Sequence, residues 1–150
     1  MKVLVQRVKE ATCIIDQAPF SHIDKGLLLF VSFHTTDEAV LIPQMAKKIA
    51  HLRIFEDNEG KMNLSLKDLQ LQVMSISQFT LEASTKKGHR PSFTEALNPT
   101  LASIYYDQFN EALRKEGLVV STGSFQARMD ISLINDGPVT ILLERGMKND

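Results

Sequence analysis

The chain has 150 residues, 43% of them hydrophobic and 23% charged, the size and balance of one globular domain with its own core. A formal net charge of −1 excludes a global field that draws the molecule to nucleic acid, so any RNA contact must rest on a local basic patch. A single cysteine, Cys13, excludes a disulfide framework and a thiolate metal cluster.

Apolar and polar residues alternate from Lys2 to Val8, which marks a strand rather than a signal-peptide core. Ala11 to Ile15 reads as a second strand, close enough to form a hairpin with the first. Cys13 lies within it and is expected to be a small buried hydrophobe. Gly26 to Phe33 is an unbroken apolar run, far too short to span a bilayer and suited to a central strand buried on both faces. Thr36 or Asp37 is the expected cap of a helix carrying Val40, Leu41, Met45, Ile49 and Leu52, with Pro43 delaying or bending its first turn. Glu56 to Lys61 is a turn, Leu64 to Leu69 a short ordered stretch, and Gln72 to Phe79 another strand.

Ser84 to Pro99 has no periodicity and carries Lys86-Lys87-Gly88-His89-Arg90-Pro91. Unstructured loops of this length inside a compact domain are often functional. The strongest helix follows: Asn98 caps it, Pro99 takes its first position and Gly117 follows its last turn. Its apolar stripe is Leu101, Tyr105, Phe109, Ala112 and Leu113. Leu118 to Ser121, Met129 to Ile134 and Val139 to Glu144 supply the last strands. The pattern predicts one α/β domain over residues 1–150, α+β-like, with strands outnumbering two main helices packed on the sheet.

Two segments stand at the ends of strand-like runs: Ser77-Gln78-Phe79-Thr80-Leu81, and Asn135-Asp136-Gly137-Pro138-Val139-Thr140. The first collects hydroxyls, an amide and their backbone donors. In the second, Pro138 removes one donor and Gly137 frees one φ. Polar groups on a rigid scaffold are the raw material of a site. The usual hydrolytic signatures are missing: there is no G-x-S-x-G elbow, no H-E-x-x-H and no paired cysteines. His22, His34, His51 and His89 follow no metal spacing. His51 reads as structural, and His89 in the basic loop suits either phosphate contact or solvent. From these residues alone the reading stops at a pocket with strand-end hydroxyls.

The two segments closely resemble the signature motifs of the D-aminoacyl-tRNA deacylases. Gln6-Arg7-Val8, Leu52 to Asp57 with Gly60 to Asn63, and Lys87-Gly88 with Arg90 to Phe93 are similar to further family segments in the family order. The resemblance implies a cytoplasmic homodimeric hydrolase, with neither cofactor nor metal, that cleaves the ester joining a D-amino acid to the 3′-terminal adenosine of tRNA. It implies a cis Gly137-Pro138 bond inserted into the partner subunit's pocket, where it rejects L-amino acids and leaves glycine hard to exclude. Ser77, Gln78, Phe79 and Thr80 are the implied catalytic segment. Phe79 N–H serves the oxyanion and Thr80 positions the substrate, while the terminal 2′-hydroxyl assists water in place of a Thr80 nucleophile. Arg7 is implied to orient the Gly-Pro loop beside Asn135, and Lys86, Lys87 and Arg90 to contact acceptor-stem phosphates. The competing readings are a non-enzymatic tRNA-binding module of the same fold and an esterase for another acyl ester.

Some positions depart from the family's usual pattern. Ser32-Phe33 replaces a more usual Gly-Val, Asp130 a more common Gln, and the Ile15 to Ile23 hairpin is atypical. Glu82 stands where an aromatic residue is common, and it is expected to add negative charge beside the RNA-facing loop.

Overall fold

In a computed structural model, described over residues 1–146, the chain starts with a single long strand, β1 (Lys2–Ile15). No break separates Val8 from Ala11, contrary to the expected hairpin. Lys9 and Glu10 have no turn chemistry, and the strand's two halves share one continuous partner, β8 (Asp130–Glu144). The reversal comes instead at Asp16 and Gln17, whose φ values of 52° and 64° lead into β2 (Ala18–Ile23).

β3 (Gly26–Ser32) lies antiparallel to β1 and parallel to β6 (Gln72–Ser77), and β6 pairs in parallel with β7 (Val119–Thr122). β2 and β3 therefore share one edge of β1, while β8 takes the other. The sheet curls until Ser21 Oγ of β2 donates to the Thr122 carbonyl of β7 at 2.8 Å, giving a nearly closed barrel. A small hairpin, β4 (Phe55–Glu56) with β5 (Met62–Leu64), lies outside this sheet.

The apolar run of β3 is buried on both faces, as its pattern predicts. Leu27, Leu29 and Val31 enter the helix-side core, and Leu28 joins Val8, Cys13, Met74 and Ile76 in a second core. Burial pushes the Cys13 thiol pKa up. At Gly26 any Cβ would stand 1.8 Å from the Gln72 carbonyl oxygen, so only glycine permits this strand approach.

Among the described residues there are three α-helices: α1 (Leu41–Ala50), α2 (Leu66–Leu69) and α3 (Pro99–Lys115). α1 starts late, with Pro43 in its first turn, but neither Thr36 nor Asp37 caps it. Its N-cap is Val40, without a side-chain hydrogen bond. The Asp37 carboxylate is already engaged by the Met1 amino group at 2.6 Å and the His34 N–H at 2.7 Å. α2 is the short stretch left untyped by pattern, held by a Ser65/Asp68 capping box. α3 has the expected ends, with Asn98 Oδ1 accepting from Leu101 N–H at 3.0 Å. Its buried face is rotated slightly from the expected stripe, placing Tyr106 and Asn110 inside with Phe109 and Leu113.

Among the described residues no helix is long and apolar enough to cross a membrane.

Candidate active site

β6 ends at Ser77, and the chain turns at once into a single 3-10 turn over Phe79–Glu82. Gln78 N–H bonds to the Val31 carbonyl at 2.7 Å, fixing the turn to the end of β3. The Gln78 side-chain amide donates to Thr80 Oγ1 at 2.5 Å. Leu81 and Ala83 donate back to Gln78 and Thr80 carbonyls, while the Phe79 and Thr80 N–H groups meet no acceptor among the described residues. Both point out of the first positions of a helical turn, where backbone donors lack an internal partner.

Below this turn opens a cleft of about 630 Å³ whose lining includes Ser32, Ser77, Gln78, Phe79, Phe93 and Phe125. Phe79 is 57% exposed and meets Phe93 edge-on, with ring centroids 5.2 Å apart. Asn98, Gln126 and Met129 complete parts of the wall. Among the described residues, no side chain lining the cleft carries a titratable group. α3 braces the floor: Tyr106 OH donates to the Ser75 carbonyl at 2.6 Å, two residues before Ser77, and burial pushes this phenol's pKa up.

A second group of expected site residues gathers elsewhere. Met129 to Ile134 and Val139 to Glu144, expected as separate strands, belong to the single β8. Its register against β1 jumps from Gln6 opposite Thr140 to Val8 opposite Asn135, which leaves residues 136–139 looped out beside Arg7. Arg7 is buried and held by two carbonyls and two carboxylates. Nη1 donates to the Ile54 carbonyl at 2.7 Å and Nε to the Asp136 carbonyl at 2.9 Å, while the Glu56 and Asp136 carboxylates each lie 3.7 Å away. Asn135 clasps the loop, its Oδ1 accepting from Val139 N–H at 2.8 Å and its amide donating to the Val139 carbonyl at 3.1 Å. The Gly137-Pro138 bond is cis, and Gly137 has φ +134°.

Arg7, Asn135, Gly137 and Pro138 do not line the cleft of their own chain. Thr80 is exposed beside the cleft rather than in its lining, and Lys86, Lys87 and Arg90 are exposed on the neighbouring loop. His51 is exposed at the end of α1 against the Lys47 carbonyl. Glu82 corrects the expectation of a negative charge at the RNA-facing surface. It is buried, with Ser32 Oγ donating to its Oε1 at 2.6 Å. Phe93 stood only at the end of a family-like segment, without a site role, and sequence reasoning passed over Phe125 and Gln126. Nothing in their local pattern marks them, because each becomes a wall only when separate loops converge.

The molecule is thus a curled α+β domain with strand-end hydroxyls and free backbone donors beside a cleft whose described lining carries no titratable side chain. The family model described as D-Tyr-tRNA(Tyr) deacylase matches residues 4–144, and the chain belongs to that family of D-aminoacyl-tRNA deacylases, hydrolases of ester bonds. It is 48% identical over 145 residues to a D-aminoacyl-tRNA deacylase of Exiguobacterium sibiricum, covering 97% of this chain and 100% of that one. A D-aminoacyl-tRNA deacylase of Shouchella clausii is 51% identical over 144 residues, covering 96% and 99%. A solved structure titled c-Myc DNA Unwinding Element Binding Protein superposes with a TM-score of 0.91 at 37% identity, covering 97% of this chain and 99% of that one.

Proposed function

We propose that this chain hydrolyses the ester of D-aminoacyl-tRNA at the 3′-terminal adenosine, releasing the D-amino acid and tRNA. The observation that carries the reading is the unpartnered Phe79 N–H at the wall of an uncharged cleft, in a chain of this family. When water attacks the ester carbonyl, negative charge develops on its oxygen. A preorganised backbone donor there lowers the barrier by about 3–4 kcal/mol. Ser77 and Gln78 shape the same wall, and Gln78 holds the Thr80 hydroxyl in place.

A threonine nucleophile needs a neighbouring base. The uncharged lining favours the alternative, in which Thr80 positions the substrate and the terminal ribose 2′-hydroxyl assists the attacking water. Lys86, Lys87 and Arg90 supply a local basic patch on a chain of net charge −1 for the acceptor-stem phosphates.

Chirality is selected by backbone. In a homodimer, the Gly137-Pro138 loop of one subunit enters the cleft of the other, and its carbonyls exclude an L side chain without contacting a D one. Its absence from the cleft wall of its own chain fits this arrangement, and Arg7 and Asn135 hold the loop's shape. Glycine lacks the excluded group. The enzyme acts in the cytoplasm, where charged tRNA is found.

The test is ester half-life with purified protein and D-Tyr-tRNA, L-Tyr-tRNA or Gly-tRNA. Rapid loss of the D ester, negligible loss of the L ester and measurable loss of the glycyl ester are expected. Equal D and L rates would end the chiral reading, and three stable esters would leave the binding module and the esterase for another acyl ester.

A further inference from the structure

Glu82 is 2% exposed at the end of the turn that carries Phe79 and Thr80. Its Oε1 accepts a hydrogen bond from Ser32 Oγ at 2.6 Å. Its Oε2 accepts none and lies 3.4 Å from Nζ of Lys2. The same ammonium donates to the Leu81 carbonyl at 3.2 Å. One carboxylate thus ties the turn to the end of β3 and the start of β1.

Stability alone does not account for this arrangement. Burying a carboxylate costs several kcal/mol even when paired, and an apolar group of similar volume is often as good or better. What such a pair gives is a defined geometry. Here the geometry has an object: Ser32 and Phe79 both line the cleft, and the turn between them rests on few backbone bonds.

We propose that Glu82 is a positioning residue for the deacylation, acting with Ser32 and Lys2 to hold the 3-10 turn so that Phe79 N–H faces the ester oxygen. This rests on the reading of Phe79 N–H as the oxyanion donor. A buried carboxylate clamp sets the direction of a donor more narrowly than apolar packing, because its short hydrogen bond from Ser32 Oγ is directional and the Lys2 ammonium adds charge beside it. Misplacement of a donor by about 1 Å can cost on the order of a hundredfold in rate.

The experiment compares Glu82→Ala, Glu82→Gln, Ser32→Ala, Lys2→Met and Lys2→Arg on D-Tyr-tRNA, well below each variant's melting temperature. Glu82→Ala is expected to lower kcat about tenfold to a hundredfold with little change in KM. Ser32→Ala should add little to it, since the two act as one unit. Lys2→Arg should recover most of the kcat that Lys2→Met loses. If Glu82→Ala does not fold, the near-isosteric Glu82→Gln carries the comparison. Amide exchange at Leu81 and Ala83 reads the turn directly and is expected to quicken in both Glu82 variants, whatever ester the enzyme cleaves. Unchanged exchange, unchanged kcat, or a loss confined to KM overturns the proposal. A wild type inactive on D-Tyr-tRNA refutes the functional reading instead, and exchange then still decides whether Glu82 holds the turn.

Discussion

Arg7 Nε donates to the Asp136 carbonyl at 2.9 Å, and Arg7 Nη2 stands 2.9 Å from where a Cβ on Gly137 would be. A buried guanidinium thus grips the loop from one side and fills the space that any larger residue at 137 would need. The relation ties the second residue group together and makes it open to mutation.

Gly137→Ala should therefore damage both stability and activity. Its Cβ would also meet Val139 Cγ2 at 3.0 Å, and φ +134° is a conformation only glycine adopts freely. A destabilisation of about 1–3 kcal/mol is expected by thermal unfolding. Deacylation of the D ester should fall by more than the loss of folded protein accounts for, with D/L discrimination relaxed. Wild-type discrimination in a stable Gly137→Ala protein would separate Gly137 from the chiral filter.

On the proposed assignment, in which the Thr80 hydroxyl positions groups and does not attack, Thr80→Ala is expected to keep appreciable activity. No acyl-enzyme should be trapped, and tRNA ending in 2′-deoxyadenosine should be a poor substrate. A D-aminoacyl adduct on Thr80 detected by mass spectrometry would reverse this assignment.

Sedimentation should report a particle of twice the 16.9 kDa chain mass. Ile134 and Leu142, each 49% exposed, lie on β8 on either side of the Gly137-Pro138 loop, where a second copy would cover them. A monomer that is fully active at nanomolar concentration would remove the inserted loop from the mechanism.

Asp57 predicts a pH dependence of stability. Its carboxylate accepts from the Lys61 and Glu59 N–H groups and from the Asn63 amide, which holds its pKa below the ordinary 3.8. Because the folded value is the lower one, the stabilisation is fully present above 3.8. It is lost as pH falls through the folded value. Asp57→Asn should lower the melting temperature at neutral pH, and the gap from wild type should close in acid. A gap independent of pH would assign the effect to packing rather than charge.

Much of this molecule was legible as local pattern. Asn98, Pro99 and Gly117 set the ends of α3 because caps act within a few residues of themselves. The unbroken apolar run of β3 announced burial on two faces, since each alternate residue needs its own core. The two motifs carried the family, and Arg7 on an apolar face already called for a partner. Long-range pairing was not legible. Lys9 and Glu10 continue β1 only because β8 runs beside them, and Asp37 leaves the cap of α1 for the Met1 amino group. Glu82, a charge in a polar stretch, has the local look of a surface residue. Its burial depends on Ser32 and Lys2 arriving from distant strands. Likewise, only the register jump between β1 and β8 brings residues 136–139 to Arg7 and keeps them out of their own chain's cleft. Caps, turns and periodicity are written in neighbours along the chain, whereas strand order, register and the burial of charge are settled by neighbours in space.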